Sequence, residues 1–357
     1  MPPIPYNDFV SAGGLASIAP GEADDLFIVG ASFEPRSSAI TNTFDGRSYQ
    51  TTNAVLYVNE EFKDLPQTIA QLKLIADKLR LACPSFQGPT VGSWENSLTQ
   101  FSSLKSALAP GGPSPEPHRI TVDITTFTRE ALLSVLAIIR WGYPNASTRL
   151  VYVSPQDYTP PPPSPNPPPI TSDSEQKTTH EWLSRGFRKM RNAIGFAGIQ
   201  DPQKPSALIM LMGFEVDRAI SIVDNLEPSD VYLGKAVDGT HASFLQRNTT
   251  HRAAAFSLIK SRQRVTEFNY SAQDIACTTT TLRSLIQEVS VTHNVFLTSL
   301  TTKPVLIATF LAAEGNKDVQ ITCSVPGEYN IDNYSNGMRE VFTYNLPPPI
   351  QAQPLPQ

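Results

Sequence analysis

The chain has 357 residues, enough for about two domains and far too many for a peptide hormone or disulfide miniprotein. A net charge of −5 excludes a surface built wholly for nucleic acid, and 17% charged residues is low for a globular protein. The composition is unusual in its 32 prolines, of which 20 cluster in residues 1–5, 110–117, 160–169 and 347–356. Proline fixes φ and lacks an N–H, so these clusters mark where the chain is not core. Residues 1–24 accordingly read as an N-terminal tail, 25–158 as a first domain, 159–179 as a polyproline II linker, 180–346 as a second domain and 347–357 as a proline-rich tail.

In chain order, DLFIVGA (25–31) is a continuous apolar run that ends in the polar turn Ser32 to Ser37, as expected of a buried strand entering a loop. A second strand is expected at 54–62. A helix is expected at 65–82, where Ile69, Leu72, Ile75 and Leu79 share one face, and another at 96–109. Past the proline-rich loop come a strand at 118–127, a helix at 128–142 and a strand at 148–155. Strands alternating with helices imply parallel pairing through helical crossovers.

Beyond the linker, 180–198 reads as an amphipathic helix with Trp182, Phe187, Met190 and Ile194 on its apolar face and four basic residues opposite. That basic face leaves nucleic acid as a secondary partner. The earlier grammar then returns. SALIMLMGFEVDRAISIV (206–223) answers 25–40, DVYLGKAV (230–237) answers 54–62, residues 294–315 answer 120–142, and 319–330 answer 149–158. The fold class expected is α/β: two related Rossmann-like, flavodoxin-like parallel-sheet domains in tandem, produced by internal duplication.

Ligands of open parallel sheets bind outside the carboxyl ends of the strands, and the repeated polar turns lie there. Phe33-Glu34-Pro35-Arg36 recurs as Phe214-Glu215-Val216-Asp217-Arg218. Each Glu/Arg couple can brace the turn by a bidentate ion pair, or bind a ribose hydroxyl and a phosphate. Asp123, Thr125, Thr126 and Arg129 open one helix, and Thr298, Thr301 and Lys303 open its repeat. Hydroxyls and free N–H groups at a helix N-terminus make an anion site, although Thr128 and Thr302 also suit plain capping, with Pro304 at the first helical position. A gapless alignment of these turns sets Asp123 opposite Phe296.

GxGxxG, GxxxxGK[ST], HExxH and GxSxG are all missing, and the five histidines show no ligand spacing, so no cofactor, metal or catalytic set is expected. Cys83, Cys277 and Cys323 form no cluster and read as free thiols of a reducing compartment. The first 25 residues hold no basic residue and no signal-length apolar run, so a cytoplasmic chain with no membrane contact is expected.

A fused pair of Rossmann-like domains over residues 25–345 resembles the CARF and SAVED sensor domains of prokaryotic defence systems, SAVED domains being like two CARF units in one chain. That resemblance implies binding of a cyclic oligonucleotide across the paired strand ends and action on a partner protein. It carries over no particular residue. The sequence thus points to a non-catalytic sensor of a nucleotide-like anion. Two alternatives stay open: a nucleoside or phosphoester hydrolase or transferase using Glu34, Arg36 and Asp123 in the first domain only, and a scaffold subunit docking through its proline-rich tails and residues 180–198.

Overall fold

The computed structural model describes residues 8–10, 23–47, 49–93, 96–108, 117–158, 183–239, 242–332 and 334–350. The proline linker 159–179, residues 180–182 of the expected helix and residues 351–357 of the tail lie outside the described residues.

In chain order the first half holds β1 (Asp8–Val10), β2 (Asp24–Ala31), β3 (Thr51–Asn59), α1 (Pro66–Ala82), β4 (Pro89–Gly92), α2 (Ser97–Leu108), β5 (Arg119–Asp123), α3 (Arg129–Gly142), β6 (Ser147–Val153), β7 (Asp157–Tyr158), β8 (Ser184–Arg185) and β9 (Lys189–Ala197). The second half holds β10 (Ser206–Leu211), α4 (Val216–Leu226), β11 (Asp230–Ala236), α5 (Ala242–Lys260), β12 (Arg264–Tyr270), α6 (Ile275–Val289), β13 (Asn294–Ser299), α7 (Lys303–Ala313), β14 (Val319–Val325), β15 (Glu328–Tyr329), β16 (Ser335–Asn336) and β17 (Val341–Asn345).

The strands form two matching sheets, β1-β17-β6-β5-β2-β3-β4 and β12-β11-β10-β13-β14-β9. Five strands run parallel in each, and β17 and β9 join antiparallel to β6 and β14. The expected tandem α/β fold is therefore present, and apart from the extra edge strand β1 of the first sheet it repeats strand for strand. After their polar first residues, Asp24-Asp25 and Ser206, the central strands β2 and β10 are apolar because parallel neighbours and helices cover both faces. One difference lies just after them. The second copy enters α4 directly, whereas in the first Pro35 starts a short 3-10 turn followed by another at Thr41–Thr43.

Three expectations need correction. Residues 183–198 are not a helix: β8 and β9 are strands, with Gly195 (φ 90°) and Gly198 (φ 65°) in left-handed conformations that a helix excludes. The apolar spacing there reflects a strand paired with β14 rather than one helical face. Secondly, Asp123 does not answer to Phe296. Asp123 pairs with Val29 on β2, and the residue in the matching place on β13 is Thr298, which pairs with Met210 on β10. The β13–α7 turn is shorter than the β5–α3 turn, so a gapless alignment slips.

The third correction concerns the domain limits. β17, inside the segment 180–346, completes the first sheet, while β9, which follows the first domain, completes the second. β1, inside the supposed tail, is the outermost strand of the first sheet. The two halves have exchanged their last strands, and the connecting arms cross as two small ribbons, β7 with β16 and β8 with β15.

Between the sheets lie α3 and α7. Arg129 Nη2 donates to the carbonyl of Thr301 at 3.2 Å at their N-terminal ends, and Arg140 pairs with Glu314 at 2.9 Å at their C-terminal ends. The helices therefore run side by side in one direction. Both are buried over almost their whole length, in a core cluster that spans the two halves.

If β17 belongs to the first sheet, Phe342→Ala should lower stability by about 3 kcal/mol. Native-state hydrogen exchange should then lose protection in β6, with β14 and β9 spared; loss centred on β14 would contradict the exchange.

Candidate functional site

In each sheet the strand order reverses beside the central strand, between β2 and β5 and between β10 and β13, and the loops after these four strands face one another across the interface. Two cavities of ≈ 40 Å³ lie there. The first is lined by Glu34, Arg36, Thr125, Arg129, Glu215, Thr301 and Lys303 among others, and the second by Arg129, Arg218, Asn59, Glu61, Gln100 and Tyr329 among others. Eight of the eleven residues singled out from sequence thus meet at the interface. The other three brace the backbone. Thr126 Oγ1 donates to the carbonyl of Gly30 at 2.6 Å, Thr298 Oγ1 to that of Thr322 at 2.9 Å, and Asp123 Oδ1 accepts from the N–H and the hydroxyl of Thr125.

The two Glu/Arg couples are near copies of each other. Arg36 Nη2 meets Glu34 Oε2 at 2.5 Å, and its Nη1 donates at 2.7 Å to the carbonyl of Val153, the last residue of β6. Arg218 Nη1 meets Glu215 Oε1 at 2.6 Å, and its Nη2 donates at 2.7 Å to the carbonyl of Ser324 near the end of β14. A serine from the crossing arms completes each. Ser335 donates to Glu34 Oε2 and accepts from Arg36 Nε, and Ser184 donates to Glu215 Oε1 and accepts from Arg218 Nη1. Each couple therefore pins a βα corner, a strand end and an arm together. Burial disfavours the Arg36 charge, but Glu34 and Tyr158 more than offset it and the guanidinium stays charged. Burial likewise pushes Glu215 up, while Arg218 and Arg129 hold its carboxyl below the usual range.

The helix N-termini differ. Arg129 reaches Glu215 at 3.5 Å. Lys303, in the same place on α7, has no ion pair or hydrogen bond among the described residues. Burial, with Arg129 and then Arg36 beside it, lowers its amine to about 7 despite Glu34 and Glu215. Thr128 caps α3 by accepting from the Ala131 N–H, whereas Thr302 makes no such bond, and Pro304 is the second residue of α7 rather than the first. In the first cavity three cations, Arg36, Arg129 and Lys303, stand against two carboxylates, Glu34 and Glu215, and in the second Arg129, Arg191 and Arg218 stand against Glu61 and Glu130. Two helix N-termini pointing the same way add to the positive side, and such ends attract anions.

Asp123 is wholly buried and its Oδ2 has no partner among the described residues; burial raises its carboxyl to about 6, although the bonds from Thr125 oppose that. It lines neither cavity. Sequence reasoning missed Tyr158, which closes the first cavity with Arg36 5.9 Å above its ring, and Tyr329, which closes the second. A signal for both existed: Pro155-Gln156-Asp157-Tyr158 recurs as Pro326-Gly327-Glu328-Tyr329. Ser335 offered none, being 299 residues from the arginine it contacts. Among the described residues no cluster of three or more His, Cys, Asp or Glu could hold a metal, and no helix is long and apolar enough to cross a membrane.

No protein-family model matches the sequence. No curated protein matches it either. Among solved structures the chain is similar to a Type III CRISPR defence DNA nuclease activated by cyclic oligoadenylate, with a TM-score of 0.49 and 11% identity over 89% of this chain and 68% of that one.

Because the folded-state amine of Lys303 sits near 7 against 10.5 in an unfolded chain, its burial costs stability fully below pH 7, and the cost fades as pH rises through 7 toward 10.5. Lys303→Met should therefore stabilise the protein more at pH 6 than at pH 9 in urea unfolding. Arg218→Met, which leaves Glu215 with Ser184 and the longer 3.5 Å contact to Arg129, should destabilise by about 3 kcal/mol, with part regained in the Glu215→Gln double variant.

Proposed function

We propose that the chain is a non-catalytic sensor that binds a nucleotide-like anion in the crevice between the two sheets and passes its occupancy to a partner protein. The observation that carries this reading is Lys303, a cation without an ion pair or hydrogen bond among the described residues, at the N-terminus of α7 inside a cavity it shares with Arg36 and Arg129. A partly buried lysine among arginines is unfavourable for folding, and an anion would relieve it. The aromatic walls Tyr158, Phe214 and Tyr334 suit a base beside a phosphate. The carboxylates in reach, Glu34 and Glu215, are each held by an arginine and a serine, which favours binding over acid–base chemistry.

A cavity of ≈ 40 Å³ holds a few waters and no nucleotide, so entry requires the ribbons β7·β16 and β8·β15 to lift. Each is only two residues long and tied down through Ser335 or Ser184. The defence setting implied by the architectural resemblance belongs to this proposal as its biological context.

Calorimetry against a panel of phosphodiester nucleotides, whose own charge is constant above pH 5, tests the reading. Since the anion favours protonated Lys303, affinity should fall about tenfold between pH 6.5 and 8.5, and Lys303→Met should abolish both binding and the pH dependence. Absence of binding across the panel, or binding indifferent to Lys303→Met, would overturn it.

A further inference from the structure

The first interface cavity holds an amine in surroundings that make it reactive. Lys303 lines it with Arg36 and Arg129 and has no hydrogen bond or ion pair among the described residues. Unlike Arg129 Nε and Thr301 Oγ1 of the same lining, which are closed to water, Lys303 Nζ stays open to it. At ≈ 40 Å³ the cavity takes a group the size of about two waters and no nucleotide.

The charges around it leave one anion to be supplied. Glu34 is held by Arg36 at 2.5 Å and Glu215 by Arg218 at 2.6 Å, so each carboxylate has its own guanidinium. Arg129 reaches Glu215 only at 3.5 Å, and its one hydrogen bond among the described residues runs from Nη2 to the Thr301 carbonyl. A guanidinium carries five N–H groups, so Arg129 has donors to spare. Thr302 makes no side-chain cap on α7, which leaves the positive end of that helix open as well. Burial first, then Arg129, holds the Lys303 amine near 7. About half of it therefore has a free lone pair at neutral pH, against fewer than about one in a thousand for an ordinary lysine.

We propose that Lys303 is a carbamylation site, whose neutral amine captures dissolved carbon dioxide and whose carbamate is held by Arg129 and Arg36 at the N-terminus of α7. The nitrogen lone pair forms the N–C bond, one C=O π bond opens to put the charge on oxygen, and the nitrogen releases one proton to water. The step balances without oxidant or reductant. It turns a cation that lacks a carboxylate into a planar anion of the shape arginine binds by its fork. A carbamate and a phosphate would use the same cations in turn, so the modification is tested without nucleotide.

Carbon NMR of the full chain in isotope-labelled bicarbonate at pH 7.5 should show a carbamate carbon that is lost in Lys303→Met and falls at least threefold in Arg129→Met. Trapping the unmodified sequence with triethyloxonium should leave an ethyl carbamate that peptide mass spectrometry places on Lys303, whether or not the variants fold. The N-terminal amine, which titrates at about 8, also forms carbamates, and the peptide map separates the two. Absence of a carbamate signal, trapping confined to the N-terminal amine or to other lysines, or a signal unchanged in Lys303→Met would overturn the proposal. Nucleotide binding without a carbamate on Lys303 would overturn this proposal alone, and a carbamate there without nucleotide binding would overturn only the sensor reading.

Discussion

The side-by-side, same-direction packing of α3 and α7 is the constraint from which the other features descend. Parallel neighbours add their dipoles instead of cancelling them, so both positive ends meet at one end of the interface and both negative ends at the other. Apolar burial along the pair offsets that cost. At the positive end Glu34 and Glu215 neutralise only part of the excess, leaving Lys303 uncompensated. At the negative end Arg140 is the residue a helix C-terminus favours and Glu314 the one it disfavours, and the two pair at 2.9 Å.

The strand exchange holds this arrangement together. Because β17 completes the first sheet and β9 the second, neither half can finish its sheet without the other. The crossing arms also deliver Ser335 and Ser184 to the Glu/Arg couples, so the ties that fix the βα corners fix the interface as well. A duplicated domain pair joined only by a linker would lack this coupling between site and sheet edge.

Much of the fold was legible because parallel strands buried on both faces must be continuous apolar runs, as at Leu26–Ala31 and Ala207–Leu211, and because the same demand appears twice in the same order. The recurring Phe-Glu turn and the helix starts at Arg129 and Lys303 were legible for a similar reason: polar residues directly after such runs have to sit at strand ends. What was not legible depends on distant partners. Residues 189–197 are strand because β14, well over a hundred residues onward, offers them an edge, and their short apolar spacing cannot distinguish a helix face from a paired strand. Ser335 meets Arg36 only through the exchange. The correspondence of Asp123 with Thr298 needed sheet register, since a shortened turn is invisible to a gapless comparison.

The most direct test of the account is the titration of the Lys303 side chain by carbon NMR with specific lysine labelling, alone and with inorganic pyrophosphate. A midpoint near 7 in the free protein, moving up by a unit or more when the anion is present, is the predicted result. A midpoint near the ordinary 10.5 that pyrophosphate leaves in place would contradict an unpaired, anion-seeking cation at the paired helix N-termini.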